Sequence, residues 1–245
     1  RFKNVCNLSP LNKNLIDKIY KDKKKTFIEP FYNINDKISG ESMNSKINRL
    51  IKKIKLKNIE NIFISAPENV AWLLNLRGKD SPHSPIPNCK VILTNKKKIF
   101  FFSCPKKIYK IQRYKKYKNF TFCTYNEFSK IISRLKGNTF SIDASTCSVS
   151  NERIIKSLFK IKLNEDPCYF MKSIKNKSEI QHMINAHNED GLALTKFIFW
   201  IKNINKKKIT EIEAKNKLEK FRKKSKNYLF GSFDTIAGAG SNGAI

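Results

Sequence analysis

Lys90-Val91-Ile92-Leu93-Thr94-Asn95-Lys96-Lys97-Lys98-Ile99-Phe100-Phe101-Phe102-Ser103 reads as two short apolar strands, 90–94 and 99–103, joined by a polar turn. Branched and aromatic residues in such short runs suit the pleated surface of a sheet, and the turn sends the chain straight back as a hairpin. Upstream, Ser42 can cap a helix whose Met43, Ile47, Leu50, Ile51 and Ile54 fall at three- and four-residue steps on one apolar stripe. A short apolar strand, Ile62 to Ser65, follows, and then Pro67 opens a helix over Glu68 to Leu76. Downstream, Pro105 opens another helix and Phe120 to Cys123 is a strand. Tyr125 to Leu135 is helical and stops at Gly137, Thr139 to Ile142 is a strand, and a helix carries Ile154, Ile155, Leu158 and Phe159. Strands alternating with helices around an antiparallel hairpin predict an α/β fold, a mixed sheet flanked by helices, over residues 41–165.

Outside that unit the patterns change. Residues 1–40 read as a tail and connector, with helical spacing over Asn12 to Tyr20, a solvated run from Lys21 to Lys25 and an extended Phe27 to Pro30. From 166 onward a second unit opens. Its main feature is a long amphipathic helix, Lys177 to Ile204, with Ile180, Met183, Ile184, His187, Leu192, Leu194, Phe197, Ile198 and Ile201 on its apolar side. Thr210 caps a further helix carrying Leu218 and Phe221, a strand spans Ser232 to Ala237, and Gly238 to Gly243 is a turn. A sequence that starts at Arg1 and stops at Ile245 reads as cut at both ends.

The chain carries 50 basic against 20 acidic residues, a net charge of +30. Phosphate recognition favours the planar fork of arginine, yet only residues 1, 49, 77, 113, 134, 153 and 222 are Arg. Lys, Asn, Ile, Phe and Tyr are abundant together, so the charge reads as compositional drift, with nucleic acid bound only non-specifically. No apolar run approaches the length of a membrane span. The six cysteines, at 6, 89, 104, 123, 147 and 168, are never closer than 15 residues. That spacing excludes a CxxC-type zinc knuckle, and several of them sit in apolar runs as small core residues.

Few constellations carry chemistry by themselves. His182 and His187 stand five apart on one helix, which is not the four-residue step that places two ligands on one face. His83 lies in Ser81-Pro82-His83-Ser84-Pro85-Ile86-Pro87, a loop stiffened by three prolines that either holds a polar group against a ligand or only shapes a connection. Arg77 could grip a carboxylate or pair locally with Asp80. Gly238-Ala239-Gly240-Ser241-Asn242-Gly243 lacks the Lys-Ser or Lys-Thr ending of a phosphate cradle.

Three segments, in order, carry a resemblance. Val70-Ala71-Trp72-Leu73-Leu74-Asn75-Leu76-Arg77-Gly78-Lys79-Asp80-Ser81-Pro82-His83 is similar to the middle-domain signature of three-domain aminopeptidase P. Lys172-Ser173-Ile174-Lys175-Asn176-Lys177-Ser178-Glu179-Ile180, with Ala186-His187 and Asp190-Gly191, resembles the opening of that family's pita-bread catalytic domain. Leu218-Glu219 with Phe221-Arg222, and Ser232 to Gly238 running to Asn242-Gly243-Ala244-Ile245, resemble its continuation.

The resemblance implies a creatinase N-terminal-like domain followed by the start of a pita-bread α+β domain. The parent protein would be a cytoplasmic, dimeric Xaa-Pro aminopeptidase acting on peptides with proline second. It would use two divalent ions, manganese by preference, which generate a hydroxide nucleophile at neutral pH. In the family two Asp, one His and two Glu hold the ions, and all would lie past Ile245, as would the first active-site histidine. The resemblance therefore implies no metal or catalytic residue in this sequence, and an inactive fragment. It places Arg77, Asp80 and His83 on the loop facing the substrate. A metal-free pita-bread module that binds a peptide or histone-like partner, or a basic nucleic-acid-associated protein, are the rival readings.

If the charge is drift, association with single-stranded RNA at about 150 mM salt is weak and indifferent to sequence. Tight or sequence-selective binding in a fluorescence-anisotropy titration at that salt would overturn this reading of the composition.

Overall fold

The computed structural model describes residues 29–204 and 209–243, the stretch 14–20, and positions 6, 9 and 11. In chain order the elements are helix α1 (Leu15–Ile19), strand β1 (Tyr32–Asn33), helices α2 (Asp36–Ser39) and α3 (Met43–Leu56), β2 (Asn61–Ile64), α4 (Pro67–Leu73), β3 (Leu76–Arg77) and the hairpin β4 (Lys90–Thr94) and β5 (Ile99–Phe102). There follow α5 (Pro105–Ile111), β6 (Phe120–Cys123), α6 (Phe128–Arg134), β7 (Thr139–Ile142), α7 (Val149–Lys156), β8 (Lys160–Leu163), α8 (Pro167–Ser173), α9 (Lys177–Lys202) and α10 (Glu211–Arg222).

The expected hairpin is the antiparallel heart of a six-stranded mixed sheet in the order β6-β5-β4-β2-β7-β8. β4 lies antiparallel to both β5 and β2, while β6, β7 and β8 join through parallel pairings. Its turn closes because Lys97 takes a left-handed backbone, φ 65°, and donates its amide to the Thr94 carbonyl at 2.9 Å. Strand side chains alternate between faces. Ile62, Ile64, Val91, Leu93 and Phe101 pack with α3 and α4 on one face; Phe63, Ile92, Phe102, Phe140 and Ile142 pack with α6 and α7 on the other. The stripe forecast for α3 is buried as Ile47, Leu50 and Ile54, and Ser42 caps that helix by accepting from the Ser45 amide at 3.2 Å.

Several expectations are corrected. The helix after Pro67 stops at Leu73 rather than Leu76, because Asn75 turns left-handed (φ 51°) and frees Leu76–Arg77 to pair antiparallel with Tyr32–Asn33. Asparagine tolerates that backbone better than other non-glycine residues. The helix over 149–156 ends before Leu158 and Phe159. Phe159 turns onto Phe140, ring centres 5.3 Å apart, and Lys160–Leu163 adds an edge strand that two lysines in four residues had disguised. Ser232 to Ala237 bends at Ser232–Phe233 and joins no ladder among the described residues, so it is not a strand. The long helix ends at Lys202, and its apolar side is largely open: Ile180, Met183, Ile184, Leu192, Leu194 and Ile198 are exposed, with α10 and α2 as its main neighbours. The lysine run 21–25, the segment 27–28, parts of the forecast first helix at 12–13, and 244–245 lie outside the described residues.

Two lysines are buried among the described residues, Lys46 and Lys107. Lys46, on the inner side of α3, is 1% exposed and donates to the Trp72 carbonyl at 3.0 Å and to Asn75 Oδ1 at 2.7 Å, with its ammonium 4.4 Å from the centre of the Trp72 ring. Burial pulls its pKa down to about 8, although the carboxylates of Glu179 and Glu41 act the other way. Between that value and the ordinary lysine value of 10.5, the unfolded chain holds a proton that the folded chain has released. Stability therefore rises with pH across this window, by an amount on the order of 3 kcal/mol for this one group.

Urea unfolding at pH 7.5 and pH 9.5 is expected to show that contribution as a difference between the wild type and Lys46→Met, because the thiols of Cys89, Cys123, Cys147 and Cys168, whose pKa values burial raises, act the opposite way in both proteins; an equal change with pH in the two proteins would contradict it. Phe101→Ala, on β5 one strand in from the sheet edge and fully buried, is expected to cost about 3–5 kcal/mol in the same measurement.

Candidate functional site at the 78–88 loop

The loop that follows β3 is stiff for reasons beyond its prolines. Gly78 donates its amide to the Pro85 carbonyl at 3.0 Å, and a Cβ at Gly78 would stand 2.6 Å from Cβ of Pro87, so the two legs of the loop can close only around glycine. Ser81 and Ser84 face each other in a bridge at the tip. Asp80 is buried beside Lys107 of α5 in a close ion pair, and its Oδ2 accepts from the Asn88 amide at 2.7 Å. The Lys107 ammonium also stands 5.1 Å from the centre of the Phe31 ring. Asp80 therefore fastens the base of the loop to the sheet domain, and its carboxylate points inward.

Arg77 is likewise engaged within the fold. Its Nη1 donates to the carbonyls of Ala71 and Leu76, each at 2.9 Å, and burial lowers its pKa from the ordinary arginine value while Tyr32 and Glu179 oppose that shift. The local Arg77–Asp80 pair that the sequence allowed does not form, because Lys107 reaches Asp80 first. Both charged groups thus make contacts that set the shape of the loop.

His83 is the residue of the three that faces outward across a gap. Its Nδ1 lies 3.0 Å from the Gly231 carbonyl oxygen, and its Nε2 lies 3.4 Å from Oδ2 of Asp234. A carbonyl can only accept, so Nδ1 carries the hydrogen of that bond. Asp234 is also 3.5 Å from Lys215 of α10. The proline loop and the segment after α10 thereby form two walls of a cleft of about 830 Å³, whose lining includes Pro82, His83, Asp190, Arg222, Tyr228 and Phe233. Arg77 and Asp80 do not line it.

The structure adds a pair that sequence reasoning did not single out for a site. Arg222 of α10 grips Asp190 of α9 with two bonds, Nε to Oδ1 at 2.6 Å and Nη2 to Oδ2 at 3.1 Å. The parallel geometry is the one arginine provides and lysine does not. Arg222's scarcity in a lysine-dominated chain was the available signal. Further along, Glu211 of α10 accepts from the Ala239 amide at 2.6 Å and holds the glycine turn, whose residues Gly240–Gly243 form a short 3-10 turn.

No group of three or more His, Cys, Asp or Glu with metal-holding geometry occurs among the described residues. His182 and His187 are both exposed on α9. The side chains present therefore do not fit a metal pair, and none of the cleft chemistry above passes through one. No helix of the described residues is long and apolar enough to cross a membrane.

Known proteins resemble this chain along nearly its whole length. The probable Xaa-Pro aminopeptidase P of Neurospora crassa is 30% identical over 253 residues, covering 97% of this chain and 37% of its own length. The Xaa-Pro aminopeptidase ApepP of Drosophila melanogaster is 29% identical over 249 residues, covering 98% of this chain and 40% of its own length. This chain thus spans about two fifths of these curated relatives. Among solved structures, the X-prolyl aminopeptidase of Caenorhabditis elegans, described as a cytosolic enzyme with a di-nuclear active site, superposes with a TM-score of 0.80 at 24% identity, over 92% of this chain and 38% of that one. That likeness fixes the fold. Residues 22–179, well over half of the chain, match the Creatinase/Prolidase N-terminal domain, and the chain belongs to that family.

Proposed function

We propose that these residues form the substrate-facing domain, and the opening of the catalytic domain, of a metal-dependent Xaa-Pro aminopeptidase that removes an N-terminal residue preceding proline. The observation that carries the reading is the ordered run of three aminopeptidase P-like motifs, joined in space by the cleft between His83 and Gly231–Asp234. Residues 1–40 are then the end of a first domain and hinge, 41–165 the creatinase-like domain, and 166–245 the start of the pita-bread domain. The full protein works in the cytoplasm as a homodimer with two divalent ions, manganese by preference, held by residues other than these. The 245 residues alone hydrolyse nothing.

An Xaa-Pro bond is a tertiary amide without an N–H. A site that held its substrate as a β-strand would lose a ladder hydrogen bond at that position, whereas a stiff loop can hold the peptide by its termini and side chains. His83 presents a ring that can turn from Gly231 to a peptide carbonyl or terminus. Arg77 and Asp80 serve the substrate by shaping the loop that carries His83: Arg77 through the carbonyls of Ala71 and Leu76, Asp80 through Lys107.

The full-length protein with added manganese is expected to cleave a peptide with proline second, and failure to do so under any divalent ion sinks the enzyme reading. His83→Ala in that protein is expected to lower kcat/KM about tenfold, the equivalent of about 1.4 kcal/mol, with an unchanged melting temperature. Asp80→Ala is expected to destabilise instead, by about 3–5 kcal/mol, because it leaves Lys107 buried without its partner. Equal loss of stability in both variants would remove the distinction drawn between them.

A further inference from the structure

Among the described residues, side-chain hydrogen bonds join the α9–α10 unit to the sheet domain at places that include two of different kind. At the cleft, His83 reaches a main-chain carbonyl of a segment that joins no ladder among the described residues. At the other end, the first residues of α9 are fastened to the turn that ends α2. Asn176 uses both ends of its amide there: Oδ1 caps α9 by accepting from the Glu179 amide at 3.0 Å, and Nδ2 donates to the Ser39 carbonyl at 2.8 Å, 137 residues earlier in the chain. Gly40 completes the contact. Its φ of +70° belongs to the left-handed region, and a Cβ there would stand 2.2 Å from Oδ1 of Asn176. Glu179, which reciprocates the cap through the Asn176 amide at 2.9 Å, also places its carboxylate where its field reaches Lys46 and Arg77.

The same turn holds the opposite wall of the cleft. Asn75 Nδ2 donates to Asp36 Oδ1 at 3.0 Å and to the Glu41 carbonyl at 2.9 Å, and Asn75 directly precedes the strand that leads into the His83 loop. Both walls therefore hang from residues 36–41. At 1.5 Å of rise per residue, Asp190 lies roughly 20 Å along α9 from Asn176, so a tilt of about 10° at the latch shifts it about 3.5 Å. A shift of that size exceeds what the 3.0 Å bond of His83 can follow.

We infer that Asn176 is a positioning residue: its amide, seated on Ser39 and Gly40, fixes the tilt of α9 and thereby the width of the cleft at His83. The consequence for substrate binding rests on the aminopeptidase reading; the mechanical coupling does not.

The test uses Asn176→Asp and Asn176→Ser in the full-length protein. Both keep an oxygen that caps a helix about as well as asparagine. The aspartate carboxylate has no hydrogen to donate to the Ser39 carbonyl, and the serine hydroxyl, one bond shorter than the asparagine amide, stops short of it. The distance between spin labels carried by non-natural residues at positions 97, on the hairpin turn, and 226, after α10, both exposed, is followed by pulsed electron resonance, with hydrogen exchange in the sheet core 90–94 as the control. The expected result is a distance distribution shifted or broadened by about 3 Å in both variants, the lever displacement of the tilted helix, with 90–94 unchanged, and a higher KM at near-constant kcat for an Xaa-Pro peptide. Gly40→Ala is expected to reproduce the pattern by displacing Asn176 from the other side. An unchanged distance distribution overturns the inference, as does accelerated exchange at 90–94, which would mark a general loss of stability. If the wild-type protein cleaves no Xaa-Pro peptide, the enzyme reading falls and the distance result still decides the latch.

Discussion

The side chain of Asn75 is the point on which the arrangement of the chain depends. It is buried, its backbone is left-handed, and its amide is bonded at both ends: Oδ1 accepts from Lys46, and Nδ2 donates to Asp36 and to the Glu41 carbonyl. Its own carbonyl takes the Ile34 amide at 2.9 Å. One residue thereby stops α4, launches β3, and ties the connector at 34–41 to helix α3. A buried polar group without partners costs about 1–3 kcal/mol, so each of these contacts requires the others. Such a network specifies one packing of the connector against the domain, where apolar contact alone would allow several.

Charge is handled by the same principle. A net charge of +30 repels itself, and the few carboxylates are placed where they act on structure. Asp80 neutralises the buried Lys107, Glu41 meets Arg49 at 2.6 Å, and Asp190 meets Arg222 across two helices. Lys46 is held by neutral oxygens and an aromatic face, and its burial is the main reason that its proton is comparatively loosely bound, with Glu179 and Glu41 acting the other way. The excess lysines are elsewhere, largely on exposed positions, and leave the core chemistry alone.

The sheet and its flanking helices were legible because their signals are local. The hairpin 90–103, the stripe of α3 and the strands at 120–123 and 139–142 each declare themselves through periodicity and turn residues. β8 was not legible, since Lys160-Ile161-Lys162-Leu163 becomes a strand only by pairing with β7. β3 was hidden for the same reason: it exists because Tyr32–Asn33, more than forty residues away, lies beside it. At the candidate site, the stiffness of the proline loop could be read, but the direction of each side chain could not. The resemblance alone places Arg77 and Asp80 on the substrate-facing loop, and the contacts that engage them within the fold, to the Ala71 carbonyl and to Lys107, could not be read from the sequence.

That distinction bears on how the cleft is built. A residue that touches a ligand must keep unused hydrogen-bonding capacity or be able to release a partner. Asp80 and Arg77 cannot do this cheaply, because their partners are buried with them. His83 can, because it is partly exposed and its partners, the Gly231 carbonyl and the Asp234 carboxylate, sit at the rim of the cleft, with Asp234 itself well exposed. The adaptable contact therefore lies at the cleft, while the contacts that resist change lie at Asn75, Asn176 and Asp80. Rigidity placed away from the ligand and freedom placed beside it let the sheet domain hold a loop in one position while a single ring responds to what enters.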